Sequence, residues 1–268
     1  MNPATEHQGL ELSIVVPLYN EEESLPELVD QIKRALPSRS FELIFVDDGS
    51  MDASWNIIEQ LVKANNQIKG ISLGVNQGKS YALQAGFNEI QGQYVVTMDA
   101  DLQDDPAEIE QMICTLESGY DLVSGWKKER FDPVSKTIPS KFFNWVTRRA
   151  AGIHLHDFNC GLKAYRADVL THIQLYGELH RYIPLLAKRA GFGRITEQVV
   201  QHRARKYGTT KFGLSRFING FLDLITILFV QKYLQKPMHF FGTIGVLLMA
   251  VGSLINLYMA GIRIFYNA

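Results

Sequence analysis

Two carboxylates stand one residue apart in Asp99-Ala100-Asp101, where the apolar, β-branched run Tyr94–Met98 ends. That run reads as a buried strand. Carboxylates so placed hold a hard divalent cation through oxygen and leave room for diphosphate oxygens, with Gln103 as a neutral third ligand. Asp104-Asp105-Pro106 then opens a helix with proline in its first turn. Acidic residues after a strand also serve as a plain helix cap, so the motif alone leaves both readings open. Asp47-Asp48-Gly49-Ser50, with Asp52, is common turn chemistry, or else a carboxylate set to accept a base N–H. Asn76-Gln77-Gly78-Lys79 opens a helix whose free amides and lysine suit a phosphate, or is an ordinary loop with a surface lysine. His154 and His156 pair by type, but no Cys or His follows at ligand spacing, so they read as structural.

Positioning these residues requires a regular frame. Candidate strands run over 12–17, 41–46, 68–73, 93–98 and 121–125, and candidate helices over about 22–36, 52–65, 78–90 and 106–118. Such alternation predicts an α/β fold with a mainly parallel sheet covered on both faces. Ligands in these sheets bind beyond the carboxyl ends of the strands, near the reversal of strand order. The three polar clusters fall at those ends.

The chain has 268 residues and a net charge of only −1, but residues 1–123 carry 21 acidic and 6 basic side chains and residues 124–268 carry 7 and 21. The second half therefore suits an anionic partner, lipid headgroups or phosphates rather than nucleic acid, because an apolar C-terminus accompanies it. Phe240–Ile262 has no charged residue, and its length of roughly 34 Å crosses a bilayer core of about 30 Å. His239, Tyr258 and Tyr266 suit the interfaces. From Leu214 to Gln235, Ser215, Arg216, Asn219, Asp223 and Thr226 alternate at helical spacing with Phe217, Ile218, Phe221, Leu222, Ile225 and Leu228. That pattern describes an interfacial amphipathic helix, or a packed helix of the soluble part. No apolar stretch precedes Leu12, which predicts no signal peptide. Basic residues crowd the near side of the span, which predicts an integral membrane protein of the plasma (inner) membrane with a cytoplasmic main domain. Cys114 and Cys160 read as free thiols of a reducing compartment.

Taken together, Val16-Pro17-Leu18-Tyr19-Asn20-Glu21-Glu22, Val46-Asp47-Asp48-Gly49-Ser50, Asn76–Lys79 and Met98–Pro106 resemble the family 2 glycosyltransferases of GT-A fold. Gln103 and Pro106 make the last motif most similar to dolichol-phosphate mannose synthases and bacterial polyprenyl-phosphate glycosyltransferases. Gly125–Pro133, His156–Arg166, His180–Pro184 and His202–Lys211 extend the resemblance along nearly the whole chain.

The resemblance implies a nucleotide-sugar pocket lined by Pro17, Tyr19, Glu21, Asp48, Lys79, Asp99, Ala100 and Asp101. Asp99, Asp101 and Gln103 would hold Mg²⁺ or Mn²⁺. It implies inversion in one displacement by a polyprenyl phosphate oxygen, already anionic, so the chemistry reduces to positioning and charge neutralisation. Asp101, Asp157, Arg130 and Arg205 are the candidate catalytic residues, Asp157 orienting or deprotonating the acceptor or simply satisfying loop amides. Arg130, Arg181, Arg203, Arg205 and Lys211 are the candidate acceptor cations, and Gly208–Lys211 a closing loop. The expected organisation is a tail over 1–10, a GT-A domain over 11–212, an interfacial helix over 213–236 and a membrane anchor over 237–268. Relatives of this kind carry two spans, whereas one is visible here; a homo-oligomer is allowed and not required. Three alternatives differ in class. A processive polysaccharide synthase would carry Gln-x-x-Arg-Trp, which is absent. Transfer to a glycolipid or other acceptor uses the same donor site. A non-catalytic nucleotide-sugar-binding scaffold fits poorly with an intact acidic motif.

Overall fold

The computed structural model describes residues 9–128, 144, 147–149, 152–203, 206–207, 222 and 237–266. The predicted Arg130, Arg205 and Lys211, the loop 208–211 and nearly all of the interfacial segment 213–236 lie outside them.

Strands β1 (Leu12–Leu18), β2 (Phe41–Asp47), β3 (Ile68–Ser72) and β4 (Tyr94–Thr97) alternate with helices α1 (Leu25–Ala35), α2 (Ser54–Ala64) and α3 (Lys79–Phe87). Helix α4 (Glu108–Glu117) leads to β5 (Leu122–Trp126). Then come β6 (Lys163–Arg166), α5 (Ala167–Thr171), a 3₁₀ turn at Leu179–Tyr182, α6 (Ile183–Arg189), β7 (Ile195–Val199) and α7 (Pro237–Tyr266). The strands join in one seven-stranded sheet, ordered β3-β2-β1-β4-β6-β5-β7. All pairings are parallel except those of β6, which runs against β4 and β5. Strands β6 and β7 were not among the sequence candidates: Lys163–Arg166 is short and mostly polar, and tertiary pairing alone makes it a strand.

β1 and β2 are buried along all seven residues, as strands covered on both faces must be. Helices α1 and α4 present Leu25, Leu28, Val29, Ile32 and Ile109, Met112, Ile113, Leu116 to the core, each set at i, i+3, i+4, i+7. Pro17 sits inside central β1 without a lost bond. Met98 N–H reaches Val15 O on the β4 side and Asp48 N–H reaches Leu18 O on the β2 side, so alternation turns Pro17 N toward β4. β4 pairs only up to Val15, so no acceptor awaits a donor there. Strand order reverses between β1 and β4, and the loops after β1, β2 and β4 open on that edge.

The chain divides into two compact units, Met1–Phe217 and Ile218–Ala268. The described part of the second contains one helix long and apolar enough to cross a membrane, Phe240–Ile264. Its 25 residues rise about 37 Å, and Val246, Leu247, Leu248, Met249 and Leu254 are exposed.

Candidate active site

Beyond β4 the chain turns sharply. Met98, Ala100 and Leu102 are buried, Asp99 between them is partly exposed on the rim, and Asp101 is nearly covered beneath it. Leu102 adopts φ of 60°, a left-handed conformation that costs a non-glycine residue about 1–3 kcal/mol and recurs at functional sites. Its burial at 4% exposure opposes that cost. The turn lets Asp101 Oδ1 accept the Gln103 N–H at 3.2 Å.

Asp99 is ion-paired with the Lys79 ammonium from the first turn of α3, and both side chains remain partly exposed, at 34% and 26%. Burial pushes the Asp99 carboxyl up, but Lys79, with Lys127 and Lys163 behind it, outweighs burial and holds it below the usual carboxylate value. Asp104, with no exposed surface, pairs with Lys127 at 2.7 Å. Burial alone would pull the Lys127 ammonium down; the Asp104 carboxylate reverses this and raises it. Lys163 is buried, its Nζ donating to Cys160 O, and burial lowers its affinity for the proton. Burial pushes the neighbouring Cys160 thiol up to about 12.

The loop after β2 holds the loop before α3. Asp48 accepts the Gln77 and Gly78 N–H groups at 2.7 and 2.9 Å, one on each oxygen. Burial raises the Asp48 carboxyl, and these two bonds oppose the rise. Gly49 lies at φ 73°, and a Cβ there would meet the Val75 and Asn76 backbone at 2.5–2.8 Å, so only glycine fits this crossing. The β1 loop is laced to the same region. Asn20 N–H donates to Ser50 Oγ, Asn20 Oδ1 accepts Met51 N–H, and Glu21 N–H donates to Ser54 Oγ, at 2.8, 2.7 and 3.0 Å. Pro17, Tyr19, Glu21, Asp48, Lys79, Asp99, Ala100 and Asp101 thus all lie on the β1–β2–β4 edge. Pro17 and Ala100 are buried in its floor, and Asp48 is turned to the neighbouring loop.

The second half supplies a different set. Arg203 N–H donates to Gln103 O at 2.9 Å, and Gln103 Nε2 donates to Arg203 O at 3.4 Å. Asp104 and His202 form an antiparallel bridge, and the Arg203 guanidinium pairs with Asp105. Lys206 and Tyr207 reach Glu27 of α1 at 2.7 and 3.3 Å. The predicted acceptor segment is therefore stitched to the acidic loop up to Arg203. Arg181 pairs with Glu178 at 3.2 Å and is 14% exposed, turned largely inward. Asp157 is buried, its Oδ1 accepting Asn159 N–H at 3.0 Å, the loop-capping alternative read from the sequence. His156 stacks on Trp126 with ring centroids 4.1 Å apart and pairs with Glu197; no Cys or Asp joins it in the described residues. Lys127, Lys163 and Gly161 were given no role in the sequence reading, and Asp104 was read only as opening a helix. A lysine in Lys127-Lys128-Glu129-Arg130 reads as solvated, and nothing in one sequence marks it as buried.

The donor atoms on the rim are hard oxygens, the type that holds Mg²⁺ or Mn²⁺. Among the described residues no three His, Cys, Asp or Glu side chains converge. Asp99 and Asp101 supply two carboxylates, and the Gln103 amide oxygen, whose Nε2 is already donated, is the third oxygen of the predicted set. Asp99 already carries one cationic partner, Lys79, so the donor set fits a cation.

Residues 13–173 match the family described as glycosyl transferase family 2. The chain belongs to that family. Among family 2 relatives, the dodecaprenyl-phosphate galacturonate synthase of Rhizobium johnstonii is 41% identical over 94% of this chain and 76% of its own. The undecaprenyl-phosphate 4-deoxy-4-formamido-L-arabinose transferase of Shewanella sediminis is 36% identical over 96% and 77%. Of solved structures, the glucosyl-3-phosphoglycerate synthase of Mycobacterium tuberculosis with Mn²⁺ and UDP-glucose superposes with a TM-score of 0.61. That match has 23% identity and covers 82% of this chain and 78% of that one. The fold is GT-A, as the motifs predicted.

Proposed function

We propose that this family 2 protein transfers a sugar from a nucleoside diphosphate sugar to a polyprenyl phosphate at the cytoplasmic membrane face, with inversion. The observation that carries the reading is the acidic rim itself. Asp99 and Asp101 lie one residue apart at the strand-order reversal, and Lys79 faces Asp99 from the N-terminus of α3. The names of the Rhizobium and Shewanella relatives, both polyprenyl-phosphate enzymes, supply the acceptor class. The exposed apolar helix Phe240–Ile264 supports a membrane anchor.

In this reading an acceptor phosphate oxygen forms a bond to the anomeric carbon on the face opposite the diphosphate, and the bond to the diphosphate breaks with the pair leaving on it. A phosphate oxygen is already anionic, so no strong base is required, and Asp157 serves the segment that carries it rather than a proton. Asp99, Asp101 and Gln103 would hold Mg²⁺ or Mn²⁺, which supplies charge neutralisation to the departing diphosphate. Lys79, in the first turn of α3, adds an ammonium on the donor side. Arg130, Arg205 and Lys211 are assigned to the acceptor anion, where guanidinium groups bind phosphate bidentately.

The test is transfer by the purified full chain from a panel of radiolabelled UDP- and GDP-sugars to polyprenyl phosphate, followed by lipid extraction and mass spectrometry. A lipid-linked sugar formed only with divalent cation, and lost in excess EDTA, is the expected result. Release of the chain from membranes by carbonate, or outside labelling of a cysteine at Ser38, would overturn the anchor and its orientation.

A further inference from the structure

The antiparallel register of β4 and β6 pairs Thr97 with Lys163. Continued two residues past each strand end, the same register sets Asp99 opposite Gly161. There the two segments come closer than side chains permit: a Cβ on Gly161 would lie 2.5, 2.7 and 2.9 Å from Oδ2, Cγ and Oδ1 of Asp99. Real Cβ atoms do not approach heavy atoms this closely. All three nearest atoms belong to that one carboxylate, so it lies flat against the glycine backbone. The glycine is fixed in turn. Thr97 Oγ1 donates to Gly161 O at 3.0 Å, and the Tyr165 hydroxyl meets the same Thr97 oxygen at 3.2 Å inside the core. Lys79 holds Asp99 in an ion pair, and Gly161 is its backstop.

Gly161 does not lie in the left-handed region that favours glycine. Turn geometry therefore gives no reason for a glycine at this position; the Asp99 carboxylate does. We infer that Gly161 is a positioning residue, its missing side chain leaving the space in which the Asp99 carboxylate is aimed at its cation. The inference rests on the proposed role of Asp99 as a ligand.

An added methyl at Gly161 meets the end of a side chain rather than backbone, so the Asp99 carboxylate gives way before the fold does. Gly161→Ala in the full chain should keep a cooperative melt with a small loss of stability, yet weaken Mn²⁺ binding, read by electron paramagnetic resonance, about tenfold or more, the scale of losing an outer-shell partner. In an Asp99→Ala background the same substitution should change neither the melt nor Mn²⁺ binding, because the atoms it strikes are gone. Wild-type Mn²⁺ affinity in Gly161→Ala would overturn the inference, as would equal losses in both backgrounds. If Gly161→Ala alone fails to fold, the double variant must still fold, and its aggregation counts against the inference. Unchanged Mn²⁺ binding in Asp99→Ala would instead refute the ligand role of Asp99, and the coupling of residues 99 and 161 is then still read from the melting temperatures.

Discussion

On the β1–β2–β4 edge, backbone amides hold much of the acidic rim. Asp48 takes the Gln77 and Gly78 N–H groups, and Asp101 takes that of Gln103. Across from them, the described cations of the second half are held by other side chains, Arg203 by Asp105 and Arg181 by Glu178. Asp101 is gripped by an amide of its own loop and Asp48 by two amides of the neighbouring loop, so neither turns away without disturbing the backbone. The Arg203 guanidinium is half exposed, so its pair with Asp105 is screened by solvent and opens at less cost than a fully buried pair would, whereas Arg181 and Glu178 are both largely covered. In the proposed reading the donor side is built in advance, and Arg203 on the acceptor side carries a charge that an incoming phosphate would take over from Asp105. Between the two lies Lys127, which joins Asp104 of the acidic loop to the end of β5 through a buried pair.

Removing that join should have the largest effect. Lys127→Met leaves Asp104 buried without a counter-charge and should lower unfolding free energy by about 3–5 kcal/mol in urea titrations. Adding Asp104→Leu should recover most of it, since a buried pair often costs no more than apolar residues in its place. A mild effect of Lys127→Met would mean that the two sides are not coupled there. Asp101→Asn comes next: transfer should fall about 100-fold or more while the melt is retained, the scale of losing one electrostatic stabiliser. A near-normal rate would remove the acidic rim from the chemistry.

Within the cationic set, Arg205 and Arg203 are tested against each other. Arg205→Ala should lower transfer to polyprenyl phosphate by roughly tenfold or more, with donor affinity kept, as for a lost charge-assisted phosphate contact. Arg203→Ala should lower it less, because its guanidinium is already given to Asp105. The reverse order would show that the Asp105 pair is the one that opens. Smallest is the effect expected of a surface pair away from the rim. Arg39 binds Glu110 and Glu117 at 2.8 and 3.0 Å and holds the Glu110 carboxyl below its usual value. A lowered carboxyl adds stability above its unfolded value and loses it as pH falls through the folded one. Arg39→Ala should therefore cost about 0.2–1 kcal/mol at neutral pH, a difference that vanishes as pH drops below about 4 in chemical denaturation.

Most of the first five strands and four helices were legible from their patterns: apolar runs for β1, β2 and β4, and i, i+3, i+4, i+7 spacing for α1 and α4. The acidic motif was legible by residue type. Strand β6 was not, since Lys163-Ala164-Tyr165-Arg166 has the look of a loop until β4 and β5 pair with it. Lys127 and Lys163 were passed over for a related reason: charge predicts exposure, and only a partner brought from elsewhere in the chain reverses that.

The sequence by itself determined the α/β alternation, the family, the acidic pair and an apolar segment long enough for a bilayer. All of these depend on local period or on residues close together in the chain. The tertiary structure alone decided that Asp48 grips the loop of Lys79, that Lys127 pairs with the buried Asp104, and that Gly161 backs the carboxylate of Asp99. Those pairings join residues from 23 to 62 positions apart. Their physical basis is the register and crossing of strands, set by how the whole sheet packs and not by any local preference.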